Sequence, residues 1–477
     1  MAENEERLTE SNSNVNTISE LPGRPFSITV ELPLFLTMLG LALSGTAVSN
    51  IILYRTCVIS LNHTVDECKV FLSPARKNET IHLEDEVQKY AAFVQMVKLV
   101  IESVVPAILS MFLGVWSDTH GRKPLIIWPL LGVSISSMLV VVYSMLENLG
   151  PWWYLMTSVP FSLTGGYSVL FTGAFCYLSD ITTSSSRSLR MTLLETAISV
   201  GSVIGSVLSA YLLIAVGNIY LLLIVCSLYV LAYAFTNIYM IESLTGAIEG
   251  GFTTVLDVLL IKEMFRECFK RRPNHMRAQL LLLTVANSLS IFVLYGLFGL
   301  DYLYTREKLH WALQDFTMFS AVSTTISFLG AIFGAAVIQK ILPINDLVFS
   351  MVSFTSMAAA FMIKAFAVTT WHMYLSSGVA LFGALSVPLI RSTISKILPL
   401  EDIAKVFALM CAIDGVCPLL SPVLYNAVYE CSITTLPGAV MILSGVFNVA
   451  SAVMIGYVMY LRWDAASTAY QSLPEQS

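Results

Sequence analysis

Twelve apolar runs divide this chain, each about the 20 residues that a helix needs to cross a hydrocarbon core of about 30 Å. A segment in lipid must satisfy its own backbone polar groups, so runs of this length specify helices. Hydrophobic residues make up 56% of the 477 and charged residues 12%, with a mean hydropathy of +0.75, which excludes an ordinary soluble globular chain. The expected fold is an all-α polytopic membrane protein with twelve transmembrane helices.

Six runs cover residues 31–55, 90–116, 125–146, 152–179, 191–215 and 218–241; six more cover 278–300, 312–338, 345–366, 370–395, 403–429 and 438–461. Between the sets lies the longest charged connector, 242–277, which holds an amphipathic stretch from Val255 to Phe269 and the string Lys270, Arg271, Arg272, Pro273. The expected organisation is a cytosolic tail at 1–30, one six-helix bundle at 31–241, the linker, a second six-helix bundle at 278–463 and a cytosolic tail at 464–477. Six plus six spans around a basic connector is what duplication of a six-helix unit predicts, with substrate bound between the halves at mid-membrane.

Gly114, Asp118, Gly121, Arg122 and Lys123 form a G-x-x-x-D-x-x-G-R-K string between runs 2 and 3. The glycines allow close helix approach and a tight turn, while a carboxylate and a guanidinium can lock neighbouring helices on one membrane face. This string points to a transporter. Asp180, Arg187 and Arg190 fall on the same rim and are expected to join Asp118 and Arg122 in a gating network.

Sixteen Lys and Arg residues fall in the connectors of one side and seven in those of the other, which places both termini in the cytosol. The first outer loop carries two sequons, at Asn62 and Asn78, expected to be glycosylated. Cys57, Cys68 and Cys431 lie at outer ends, where a disulfide is possible but unassigned; the other five cysteines are expected to be free thiols. Cys and His spacing shows no metal site, and no Ser/His/Asp set is visible, so neither a metal, a cofactor nor enzymatic chemistry is expected.

An ionisable group inside an apolar run is expensive and should face the bundle interior or water. Lys98 and Glu102, four apart, can pair on one helix face. Glu195 and Arg391 sit about two turns from inner ends, where they either line a cavity or snorkel. Asp414 lies mid-run with no local partner in the sequence.

With these pieces assembled the chain resembles the major facilitator superfamily. More narrowly it resembles solute carrier family 46, the branch of the proton-coupled folate transporter, the thymic stromal cotransporter and their lysosomal relative. The carriers are Asp85 to Lys89, Gly114 to Lys123, Asp180 through Glu195 and Val387 to Lys396. The resemblance implies the major facilitator fold of two six-helix bundles and a proton-linked carrier of anionic organic solutes, with Glu195 and Arg391 at positions tied to proton coupling and substrate handling. The chain departs from the folate-transporting pattern in three places. Gly166 stands where those members carry an acid, Leu297-Phe298-Gly299 where they carry a histidine, and residues 301–311 lack a cysteine to pair with Cys68. Folate as cargo and histidine-gated coupling are weakened accordingly.

The functional expectation is alternating access with proton-coupled symport of an anionic organic solute. Glu195 and Asp414 carry the proton, because burial favours a neutral carboxyl, and Arg391 holds the anion in its planar fork. A facilitative uniporter and a non-transporting receptor or scaffold are the alternatives. The expected partners are a small organic anion, protons and membrane lipid, with no nucleic acid. Tyr470 to Leu473 resembles a tyrosine-based sorting signal that adaptors would read. Plasma membrane is therefore expected, with the endolysosomal membrane as the alternative.

Overall fold

The computed structural model describes residues 16–17, 29–65, 67–68, 81–183, 186–245, 262, 265–266, 268–273, 275–298, 300–309, 311, 313–338, 341, 344–432, 436 and 438–471. Eleven helices among them are long and apolar enough to cross a membrane. The pair Thr370–Val379 and Gly383–Ile397, bent by 41°, brings the number to twelve if it is one span. The first six spans are Glu31–Ser60, Phe93–Asp118, Lys123–Met145, Pro151–Ile181, Arg187–Ser209 and Tyr211–Tyr239. The second six are Met276–Leu297, Met318–Ala336, Asp346–Ala365, the bent pair, Asp402–Ser432 and Ala439–Asp464. Numbered in chain order, these are spans 1 to 12.

Several spans are less regular than an apolar run suggests. Span 4 breaks between Leu163 and Gly166, where Gly165 and Gly166 both take positive φ. The helix Arg187–Tyr239, which carries spans 5 and 6, is kinked at Gly217, with φ of 80°, inside the first turns of span 6. Asn16–Thr17 forms a two-residue antiparallel pair with Leu244–Thr245, Asn16 lying opposite Thr245.

Spans 1, 3 and 6 share one hydrophobic cluster and span 5 lies against span 1; spans 7, 11 and 12 pack together and span 9 joins them through span 12. The small-residue strip of span 5 rests directly on span 1. Gly201 faces the Phe35 carbonyl, Gly205 faces the Leu39 carbonyl, and the Ser209 hydroxyl donates to the Leu43 carbonyl at 2.9 Å. Small residues allow the close backbone approach that drives helix association where lipid removes the hydrophobic contribution.

The two bundles meet along spans 2 and 11, 4 and 11, 5 and 8, and 5 and 10. At the end carrying the G-x-x-x-D-x-x-G-R-K turn, called here the motif end, spans 2 and 11 touch so closely that a Cβ on Gly114 would lie 2.2 Å from the Ala408 Cβ. At the opposite end, Cys57 and Cys68 form a disulfide and Cys431 stays free and exposed. Among the described residues Cys176, Cys226, Cys268, Cys411 and Cys417 take part in no disulfide.

Candidate functional site

Arg122 organises the motif end. It is 2% exposed, and its guanidinium meets Asp118 at 2.8 Å, Asp180 of span 4 at 3.1 Å and the Ser117 hydroxyl at 2.6 Å. Burial opposes the charge of Arg122, but Asp118 and Asp180 outweigh it and hold the guanidinium pKa above its ordinary value. Across the seam, Lys405 of span 11 interacts electrostatically with Asp118.

A residue that the sequence did not single out completes this corner. Glu242, just past span 6, accepts from the backbone N–H groups of Arg122 at 2.7 Å and Lys123 at 3.0 Å, so its carboxylate caps the first turn of span 3. The Glu242 carboxylate crowds Gly121, which takes φ of +103° and has no room for a side chain. Beside it, the Ser243 hydroxyl donates to Asp180 at 3.1 Å and Lys123 Nζ donates to the Asn237 carbonyl at 3.0 Å. The end of span 6 is thereby tied to the turn between spans 2 and 3.

The other two rim arginines turn elsewhere. Arg187 donates to the Ser179 and Thr182 carbonyls of its own rim and, at 2.8 Å, to the Ser395 carbonyl of span 10 in the other bundle. Arg190 pairs with Glu31 of span 1 at 3.0 Å. A second inter-bundle link runs through Ser188, which donates to Asp346 at 2.8 Å and receives Lys396 Nζ at the same distance. Lys396 also pairs with Asp346 at 2.6 Å. Of the residues expected to form one network, Asp118, Arg122 and Asp180 meet directly, Arg187 interacts electrostatically with Asp180, and Arg190 pairs with Glu31.

Deeper in the seam, Arg391 of span 10 stands between two carboxylates, one from each bundle. Its guanidinium hydrogen-bonds Glu195 of span 5 and lies 3.6 Å from Asp414 of span 11. Beneath it lies the Phe175 ring of span 4, with 4.1 Å from the guanidinium carbon to the ring centre. Asp414 also receives the Asn287 amide at 2.9 Å and the Ser288 hydroxyl at 2.8 Å, both from span 7. It has partners on spans 7 and 10 that the sequence could not place. The side chain of Glu195 is 24% exposed and that of Asp414 12%, so Glu195 is the more accessible carboxylate. Neither Glu195 nor Arg391 snorkels: they pair at the seam.

Lys98 and Glu102 form the expected internal pair, at 2.8 Å. Gly166 has no space for an acid, since its Cβ would meet Pro106 at 2.7 Å. Asn62 is described and exposed; Asn78, Leu473 and much of 255–269 lie outside the described residues, as does the side chain of Tyr470. Among the described residues no group of three or more His, Cys, Asp or Glu could hold a metal.

The Major Facilitator Superfamily model matches residues 90–422. This chain belongs to that superfamily. Among its relatives is the probable peptidoglycan muropeptide transporter SLC46 of Drosophila melanogaster, 29% identical over 458 residues, covering 92% of this chain and 87% of the relative. The proton-coupled folate transporter of Bos taurus is 22% identical, covering 73% of this chain and 74% of its own. The lysosomal proton-coupled steroid conjugate and bile acid symporter SLC46A3 of Gallus gallus is 22% identical, covering 83% and 85%. The superfamily's solved members share the fold. The human organic anion transporter MFSD10 superposes with a TM-score of 0.65 at 15% identity, covering 89% of this chain and 97% of its own, and the E. coli fucose:proton symporter FucP with 0.60 at 14%, covering 90% and 98%. The chain is thus a multi-pass membrane protein of a transporter superfamily, with relatives in solute carrier family 46.

Proposed function

We propose that this chain is a secondary active transporter that couples protons to the uptake of an anionic organic solute by alternating access. The motif end faces the cytosol in this reading, as do both termini, so a seam closed at that end is the outward-open state. The plasma membrane is the proposed site, with the endolysosomal membrane its alternative. Relatives named for folate, steroid conjugates and bile acids support the solute class, and the proton-coupled ones support the coupling.

One observation carries the proposal: Arg391 is bracketed by a carboxylate from each bundle. A solute carboxylate can take the guanidinium only when one of these acids gives way. A proton arriving at Glu195, the more accessible of the two, removes its charge and frees one side of the fork for the solute. Proton and solute then enter together, the bundles rock about the seam, and both leave on the cytosolic side.

Lower outer pH is expected to raise wild-type uptake, and Glu195→Gln, which is permanently neutral, is expected to lose that dependence. The test measures uptake of a panel of organic anions at an acidic and at a neutral outer pH. Retained pH dependence in Glu195→Gln with normal surface expression overturns the coupling role, and wild-type uptake that never responds to pH favours a uniporter.

A further inference from the structure

The motif end also carries a feature that transport through the central site does not use. A cavity of about 510 Å³, almost wholly apolar, opens between spans 2, 7 and 11 and is also lined by Phe265, Cys268 and Phe269 of the linker. Its walls come from both bundles: Ala107 and Ile108 from span 2, Leu280 from span 7, Ala412 and Ile413 from span 11. Met111 lies about two turns from the motif end of span 2 and Leu280 about one turn into span 7, so the groove opens in the leaflet at the motif end.

Basic residues flank in sequence the linker side chains that line it, with Glu263 and Glu267 among them. Lys262, Arg266, Lys270 and Arg271 are exposed on the linker, and Arg277 lies over the Phe269 ring, 5.9 Å from guanidinium carbon to ring centre. Arg272 is engaged with Asp402 at 2.8 Å, which ties the linker to the start of span 11. Phe265 and Phe269 remain 42% and 41% exposed, a degree suited to an acyl boundary rather than to water.

We infer that this groove is a binding site for an anionic phospholipid of that leaflet, with one acyl chain between spans 2, 7 and 11 and the phosphate against the linker arginines. Apolar walls alone would take any lipid; the basic residues of the linker select an anionic headgroup. The groove also leads somewhere. A second cavity of about 440 Å³ shares Thr284, Val285, Ile413 and Val416 with it and reaches Ser288, whose hydroxyl donates to Asp414. Because spans 2 and 11 belong to opposite bundles, a chain seated between them favours the state in which their motif ends are together, so the lipid tunes the conformational equilibrium.

The test uses the full chain in nanodiscs of phosphatidylcholine alone or with phosphatidylglycerol. The unfolding midpoint is expected to rise by about 3 °C with phosphatidylglycerol, as for a ligand that binds only the folded state. Arg266→Glu with Arg271→Glu is expected to abolish the rise. Ala107→Phe with Ala412→Phe keeps the charges but fills the groove, and is also expected to abolish it. A rise that survives filling means headgroup attraction alone and overturns the site, as does no rise in the wild type. The same rise from glycerol phosphate added to phosphatidylcholine discs shows that no acyl chain is needed and also overturns it. Should the filled variant not fold, Ile108→Trp places an indole on the groove wall. Brominated phosphatidylglycerol must quench it more than brominated phosphatidylcholine; equal quenching overturns the proposal.

Discussion

Arg391 is where the chemistry of this chain is most concentrated, because one guanidinium serves two bundles at once. It hydrogen-bonds Glu195, faces Asp414 at 3.6 Å and stacks on Phe175. A lysine keeps the charge but offers a point donor on a flexible stem, which cannot meet both acids and cover an aromatic face. Arg391→Lys is therefore expected to lower the initial uptake rate about tenfold, the equivalent of about 1.4 kcal/mol, with surface expression unchanged; near-normal uptake would remove the fork from the mechanism. The three ionisable residues were each legible as charges in apolar runs. Their meeting was not, since Glu195 and Arg391 are 196 residues apart and only the packing of spans 5 and 10 brings them together. Gly166 shows the reverse case. The missing acid could be seen in the sequence, but its reason, the Pro106 ring occupying the space, could not.

At the scale of elements, the apolar runs located every span, but the breaks within them were hidden. Span 10 bends between Val379 and Gly383 although no proline interrupts it there, and span 4 breaks at a glycine pair whose left-handed conformation depends on its neighbours. The cap on span 3 was equally hidden, because Glu242 is an unremarkable acid in a charged connector until the fold returns it to Arg122 and Lys123. Removing such a cap costs about 1 kcal/mol. Glu242→Ala is expected to lower the unfolding midpoint by about 1–2 °C in a chain of this size. Glu242→Gln, which keeps an acceptor oxygen, should lose less. Equal losses for the two would show that the carboxylate acts by charge on the helix end and not by accepting the hydrogen bonds.

The whole molecule turns on the seam between the bundles, and the motif end is where that seam is tightest. Gly114 meets Ala408 there, Arg187 reaches the Ser395 carbonyl, and Ser188 sits between Asp346 and Lys396. These are small contacts, each breakable, which suits an interface that must open in every cycle. A side chain at position 114 cannot be accommodated while spans 2 and 11 remain together, since its Cβ would lie 2.2 Å from that of Ala408. Gly114→Val is therefore expected to shift the population toward the state open at the motif end. Two spin-label pairs read the change, one across the motif ends of spans 2 and 11 and one across their opposite ends. The first distance should lengthen while the second shortens, as rigid bundles rocking about the central site require. Ala408→Gly removes the opposing methyl and should restore part of the original distribution. Lengthening at the motif end without shortening at the other would mean local splaying, and the seam would then be a packing surface and not a gate.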